Sequence, residues 1–135
     1  MFRSTSTQKK YSTDKIGNCP FCNRDNQMLV KAYEYFNVIK NKYPYKYWDT
    51  SLVEEHLLIA PKRHIDSIIN FTEEELKEYQ SIEKEYSDNN YEIFFRPAKA
   101  HTKSIEHFHT HAIKLKLGFL KFFIFINKPF FTFGR

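Results

Sequence analysis

The chain has 135 residues, only two cysteines, no block of lysines or arginines, no internal repeat, and no apolar run clean enough for a membrane helix. Each absence removes a class of protein. A helix that spans a bilayer needs roughly 20 predominantly apolar residues. The most apolar segment, Leu115 to Arg135, is cut by Lys121, Asn127, Lys128 and Pro129, so no membrane span is expected. The net charge is +5 and the pI near 9.1, yet acidic residues are mixed with the basic ones throughout. That pattern speaks against dedicated nucleic-acid binding and for a small polyphosphate ligand. Residues 1–15 are rich in Ser, Thr and Lys, lack the apolar centre of a secretory signal, and read as a disordered lead-in. Two cysteines are too few for the disulfide framework of a secreted domain, which points to a reducing, cytoplasmic setting.

What is present predicts one domain with a single core, burying roughly two-thirds of the unfolded surface. Gln27 to Lys40 is dominated by apolar, aromatic and β-branched residues and predicts one or two strands interrupted near Lys31. Pro44 lacks a ladder donor and forces Tyr43 away from helix, so Asn41 to Asp49 is expected to be an exposed connection. His56-Leu-Leu-Ile-Ala60 predicts a short buried strand ended by Pro61. Thr72 is a good N-cap, Glu75 completes a capping box, and Phe71 and Leu76 occupy the positions of a hydrophobic staple. From there Leu76, Tyr79, Ile82 and Tyr86 make one apolar stripe. The helix is expected over Thr72 to Tyr86, ending near Ser87 to Asn90, with Glu73, Glu78, Lys84 and Glu85 in water. A shorter helix is signalled weakly around Asp66 to Asn70. Tyr91 to Arg96 reads as a strand, Pro97 to Lys103 as a basic loop, and Ser104 onward as another strand. The tail holds seven of the fourteen phenylalanines. It predicts a further strand or an interface patch, and if exposed it is an aggregation hazard.

The most informative string is His107-Phe-His-Thr-His111, which packs half of the six histidines into five residues. On a strand these three rings share one face while Phe108 and Thr110 take the other. Imidazole titrates near neutrality and serves as nucleophile, proton carrier or metal ligand. The competing readings are a merely polar, His-rich strand face and a metal-sequestering tract. The two cysteines stand as Cys19-Pro-Phe-Cys22. That spacing suits a zinc ion or a redox pair, and two thiolates alone leave a tetrahedral metal short of two ligands.

Strand, basic loop and histidine strand, preceded by Val53-Glu-Glu-His-Leu-Leu-Ile-Ala-Pro-Lys-Arg-His64, resemble the histidine triad (HIT) family of nucleotide hydrolases and transferases. The resemblance covers about residues 16–115, leaving 116–135 as a Phe-rich extension. Two apolar residues, Ala112 and Ile113, follow the triad as the family pattern requires, and Ser104 stands three residues before its first histidine. The resemblance implies an α+β fold, a mainly antiparallel sheet of about five strands with one main helix packed on it, and a homodimer. It implies hydrolysis of, or nucleotidyl transfer from, a nucleoside phosphoramidate or dinucleoside polyphosphate through a nucleotidyl-histidine intermediate. The middle histidine of the family is the nucleophile, which falls on His109. His111 corresponds to a donor for the phosphate oxygens, His56 to a further active-site histidine, and Ser104 to a residue near the leaving group. Asn41 falls approximately at the family's ribose-binding position. In zinc-containing members the paired cysteines are joined by the histidine of a Pro-Lys-x-His segment and by one triad histidine, here His64 and His107, giving a closed structural Zn2+ site. Mg2+ on the polyphosphate is compatible with the chemistry, though no carboxylate cluster demands it.

One departure from the family pattern bears on the activity. Relatives carry glycines in the loop before the triad, whereas residues 97–103 contain none and offer Lys99, His101 and Lys103, with Arg96 just ahead. These side-chain cations replace a backbone phosphate cradle and favour a more negative substrate, or mark a pocket that only binds. A catalytically weak zinc-stabilised nucleotide-binding or regulatory module is therefore the second expectation. The third is a nucleotidyl transferase like galactose-1-phosphate uridylyltransferase, against which His111 argues because that branch has Gln there.

Overall fold

The computed structural model describes residues 19–23, 28–118, 123–127 and 130–134, the last two segments through their strand backbone. The lead-in expected over residues 1–15 lies outside the described residues. In chain order the elements are β1 (Leu29–Ala32), β2 (Phe36–Lys40), β3 (Tyr47–Trp48), β4 (Ser51–Pro61), a 3-10 turn (Ile68–Asn70), α1 (Glu73–Asp88), β5 (Tyr91–Phe95), β6 (Thr110–Leu115), β7 (Phe123–Asn127) and β8 (Phe130–Gly134). The main sheet is antiparallel with order β1-β2-β4-β6-β5, and β3 pairs with the start of β4. The fold is thus α+β, with six strands where about five were expected. Strands β7 and β8 pair with each other as a separate two-stranded sheet.

β4 lies at the centre, and its run His56 to Pro61 is buried at every position. Both its faces are covered, which is why this stretch is continuously apolar rather than alternating. Leu57 and Ile59 point toward α1 and join Phe36, Val38, Tyr79, Ile82, Phe108 and Ala112 in the larger core. Leu58 and Ala60 point the opposite way and meet Ile39 and Phe21 in a smaller one. His56 and His111 share that second face, since β4 and β6 pair Leu58 with His111 and alternate thereafter.

The capping box forms as read from the sequence. The Thr72 hydroxyl accepts the Glu75 N–H at 3.2 Å and the Glu75 carboxylate accepts the Thr72 N–H at 2.9 Å. The apolar stripe is shifted, however. Leu76 stays 39% exposed, while Glu75 is buried beside Tyr79, Ile82 and Tyr86. Glu75 tolerates this because Arg63 pairs with it at 2.8 Å, so its buried charge is compensated. Glu78 is not simply wet either: its carboxylate accepts the N–H groups of Glu34, Tyr35 and Phe36. It therefore closes the β1–β2 turn. Glu85 holds Lys31 and the Tyr33 hydroxyl.

Four further sequence expectations are corrected. The β1–β2 break falls at Tyr33–Tyr35 rather than Lys31, where only a register shift occurs. Asn41 to Asp49 is not wholly an exposed connection, because Tyr45 is buried and Tyr47–Trp48 forms β3. The strand holding His56 begins at Ser51, so His56 sits mid-strand. The histidine strand starts at Thr110, not Ser104, with His107 to His109 in the irregular lead-in. The helix ends as expected, with Asn90 at φ 64°, a left-handed conformation that Asn accepts more readily than most residues. In a chain with three glycines, the tight β3–β4 turn instead uses Asp49 and Thr50 at φ 42° and 61°.

Candidate active site and metal centre

Four histidines collect on the sheet face opposite α1. The Tyr45 N–H donates to His56 Nδ1 at 3.0 Å, so a neutral His56 carries its proton on Nε2. That nitrogen lies 2.9 Å from His111 Nδ1, and by the same logic His111 carries its proton on Nε2. His109 is set differently: its Nδ1–H donates to the His107 carbonyl at 2.9 Å, which makes Nε2 the basic nitrogen. The His109 and His111 rings stand 5.2 Å apart, edge to face. Although β6 begins only at Thr110, the alternation holds through the lead-in, for Phe108 and Thr110 face the helix, where the Tyr79 hydroxyl meets that of Thr110 at 2.8 Å.

His109 is 8% exposed. Burial first, and then the charges of Lys103 and Arg96, hold its pKa below the ordinary imidazole value, while the bond to the His107 carbonyl opposes them. The ring is neutral at pH 7. Aromatic faces confine the neighbouring ring. Phe94 stacks on His111 at 4.6 Å and 6°, Tyr45 at 5.8 Å and 19°, and Trp48 backs Phe94 at 4.7 Å.

Cys19, Cys22, His64 and His107 converge with their ligand atoms within 4.8 Å of one another. Cys22 Sγ is 3.1 Å from His64 Nδ1, Cys19 Sγ is 3.4 Å from His107 Nδ1, and the two Nδ1 atoms are 3.2 Å apart. A tetrahedral ion with metal–sulfur bonds of about 2.3 Å and metal–nitrogen bonds of about 2.0 Å would space its ligands by roughly 3.3–3.8 Å. The residues fit a metal ion, and the donor set is consistent with zinc. His107 is also oriented for it: its Nε2–H donates to the Pro61 carbonyl at 2.9 Å, turning the Nδ1 lone pair toward the thiols. Burial lowers its pKa to about 4, so the ring is in the neutral, ligating form.

The model of the family described as "Protein similar to CwfJ C-terminal" matches residues 6–121. The chain belongs to this HIT-like, CwfJ C-terminal family. Its solved structural relatives agree in fold. A hypothetical histidine triad nucleotide-binding protein from Sulfolobus tokodaii is 28% identical with TM-score 0.59, covering 74% of this chain and 70% of that one. A HIT family hydrolase from Clostridium thermocellum is 20% identical with TM-score 0.56, covering 76% and 96%. A HIT family hydrolase from Legionella pneumophila Philadelphia 1 is 19% identical with TM-score 0.54, covering 70% and 90%. No curated protein matches the chain.

Around this HIT-like centre the remaining residues singled out in the sequence take several positions. The Asn41 side-chain oxygen accepts the Tyr43 N–H at 2.8 Å, a turn bond, while its amide nitrogen lies 3.3 Å from His56 Nδ1, the nitrogen without a proton. Lys103 Nζ donates to the Asp66 carbonyl at 2.7 Å, and Arg96 donates to the Thr102 hydroxyl at 2.6 Å. Both cations nevertheless act on His109 through space. Ser104 stands exposed in the lead-in to β6. Tyr45, Phe94 and Phe21 were missed as site residues. Phe21 lies against His107 at 5.3 Å and stacks on His109 at 5.0 Å. The only signal for it was its place between the two cysteines. Among the described residues no helix is long and apolar enough to cross a membrane.

Proposed function

We propose that the chain is a HIT-type nucleotide hydrolase or nucleotidyl transferase acting on a nucleoside phosphoramidate or dinucleoside polyphosphate, with His109 as nucleophile. The observation that carries this reading is the state of His109: neutral by burial and fixed in one tautomer by the His107 carbonyl. Its Nε2 attacks the α-phosphorus, the P–N or P–O bond breaks as the amine, taking a proton from solvent, or the remaining nucleoside polyphosphate departs, and a nucleotidyl-His109 results. Water then breaks the phosphorus–nitrogen bond and releases the nucleoside monophosphate. His111, with its proton on Nε2, donates to the non-bridging oxygens as they gain charge, and His56 keeps His111 in that tautomer. Ser104 acts near the leaving group, Asn41 toward the ribose, and Arg96 and Lys103 supply the positive field for the polyphosphate.

Zinc held by Cys19, Cys22, His64 and His107 would tie the N-terminal knuckle to the sheet, as a structural ion does. A reducing, cytoplasmic setting that keeps both thiols available, and a homodimeric assembly as the HIT resemblance implies, belong to the same reading.

The deciding experiment incubates the protein with adenosine and guanosine phosphoramidates and dinucleoside polyphosphates and searches by mass spectrometry for a nucleotide adduct. The expected result is an adduct on His109 that is absent in His109→Ala. One observation favours a second reading, a nucleotide-binding module with little turnover: residues 97–103 contain no glycine, and Lys103 is already bonded to Asp66. Nucleotide binding without any adduct would select it.

A further inference from the structure

The Cys-Pro-Phe-Cys knuckle does more than present two thiols. Phe21, the residue between Pro20 and Cys22, is 6% exposed and turns inward. Its ring lies 5.0 Å from that of His109 at an interplanar angle of 30°, and 5.3 Å from that of His107 at 52°. It also packs with Ile39, Leu58 and Ala60 on the same sheet face. One face of the His109 imidazole is therefore covered by a residue that lies between the two cysteines in the chain. The Cys22 and Asn23 N–H groups both donate to the Cys19 carbonyl, at 3.1 and 3.2 Å, so Phe21 sits within the same tight backbone turn that carries both thiols.

We propose that Phe21 is a positioning residue for His109, and that closing the four-residue metal cluster sets the ring of the nucleophile. The reasoning is geometric. The hydrogen bond from Nδ1 to the His107 carbonyl fixes one edge of the imidazole, but a single bond leaves the ring free to rock about it. A stacked aromatic face removes that motion and excludes water from one side. His107 serves both ends of this arrangement: its Nδ1 points to the thiols and its carbonyl holds His109. Phe21 spans the same two rings. A metal-binding turn and a reacting group thus share two physical links, one through His107 and one through Phe21.

This inference rests on the reading of His109 as nucleophile, so its test includes a measurement that needs no substrate. In zinc-loaded protein, two-bond nitrogen–proton NMR spectra of the imidazoles report the His109 tautomer. Wild type is expected to show a single Nδ1-protonated form. Phe21→Leu keeps an apolar side chain of similar bulk without the ring. It is expected to retain zinc at the wild-type ratio yet show a mixture of tautomers, together with a roughly tenfold slower adduct formation, as small misplacements of a reacting group cost rate steeply. Phe21→Tyr keeps the ring and should restore both readouts. Unchanged His109 signals and rate in Phe21→Leu would overturn the proposal, as would loss of zinc in Phe21→Leu and Phe21→Tyr alike, since Phe21 would then only build the knuckle. If wild type forms no adduct at all, the enzyme reading fails while the ring signals still decide the Phe21 contact.

Discussion

Within single residues, the chemistry here is a matter of which ring nitrogen holds a proton. His56, His109 and His111 are all buried, and a backbone or ring partner orients each tautomer: the Tyr45 amide for His56, His56 for His111, and the His107 carbonyl for His109. Replacing His56 with Phe keeps an aromatic ring in the gap but removes both nitrogens. The buried Tyr45 N–H then loses its acceptor, at a cost of about 1–3 kcal/mol, and His111 is free to protonate Nδ1 instead of Nε2. Urea unfolding of His56→Phe is expected to show that loss. Its rate of adduct formation should fall by on the order of 100-fold, the usual cost of one misdirected oxyanion donor. A variant as active as wild type would remove His56 from the relay.

For the elements, what was legible in the sequence depended on how local the signal was. The α1 boundaries were readable because the capping box lies within four residues and a helix needs no distant partner to declare its start. The buried face was read one position off. Tyr79, Ile82 and Tyr86 follow the apolar spacing, but Glu75 takes the inward place that Leu76 was expected to hold, since Arg63, twelve residues earlier, neutralises it. Only the folded chain reveals that pairing. Similarly the His-x-His-x-His alternation announced a shared face, but not that Tyr45 from a Pro-containing connection would stack on it. The helix also makes a pH prediction. Burial pushes the Tyr79 hydroxyl up to about 12, whereas in the unfolded chain it titrates near 10. A raised folded value means stability that is complete below about pH 10 and is lost as pH climbs toward 12, worth about 3 kcal/mol for this residue. The urea midpoint should therefore decline between pH 9.5 and 11.5, and less steeply in Tyr79→Phe. An equal slope in both proteins would mean that Tyr79 ionises as freely folded as unfolded.

Taken as a whole molecule, the sheet separates two tasks. Its helix-side face holds the larger core, built from Phe36, Leu57, Ile59, Tyr79, Ile82 and Phe108, with none of the four candidate metal ligands in it. The opposite face holds the histidines and only a small apolar cluster, whose outer cover is Phe21 with Cys19 beside it. Residues 19–23 form no strand, and they reach the sheet through that cluster, through the Phe21 ring on His109, and through the meeting of Cys19 and Cys22 with His64 and His107. An ion bound there stabilises the folded state by mass action, by about 4 kcal/mol when its concentration is a thousandfold above its dissociation constant. The purified protein is accordingly expected to contain one zinc per chain. A strong chelator should lower its thermal midpoint by on the order of 10 °C, and zinc should restore it. His64→Ala, which removes one ligand and leaves His109 and Phe21 in the chain, should start from the lowered midpoint and respond little to chelator. Because the helix-side core contains none of the four ligands, far-ultraviolet circular dichroism of the chelated protein at 20 °C should keep its helical signal. Loss of that signal on chelation, or a midpoint indifferent to zinc, would contradict this division of the molecule into an ion-independent core and an ion-fastened site.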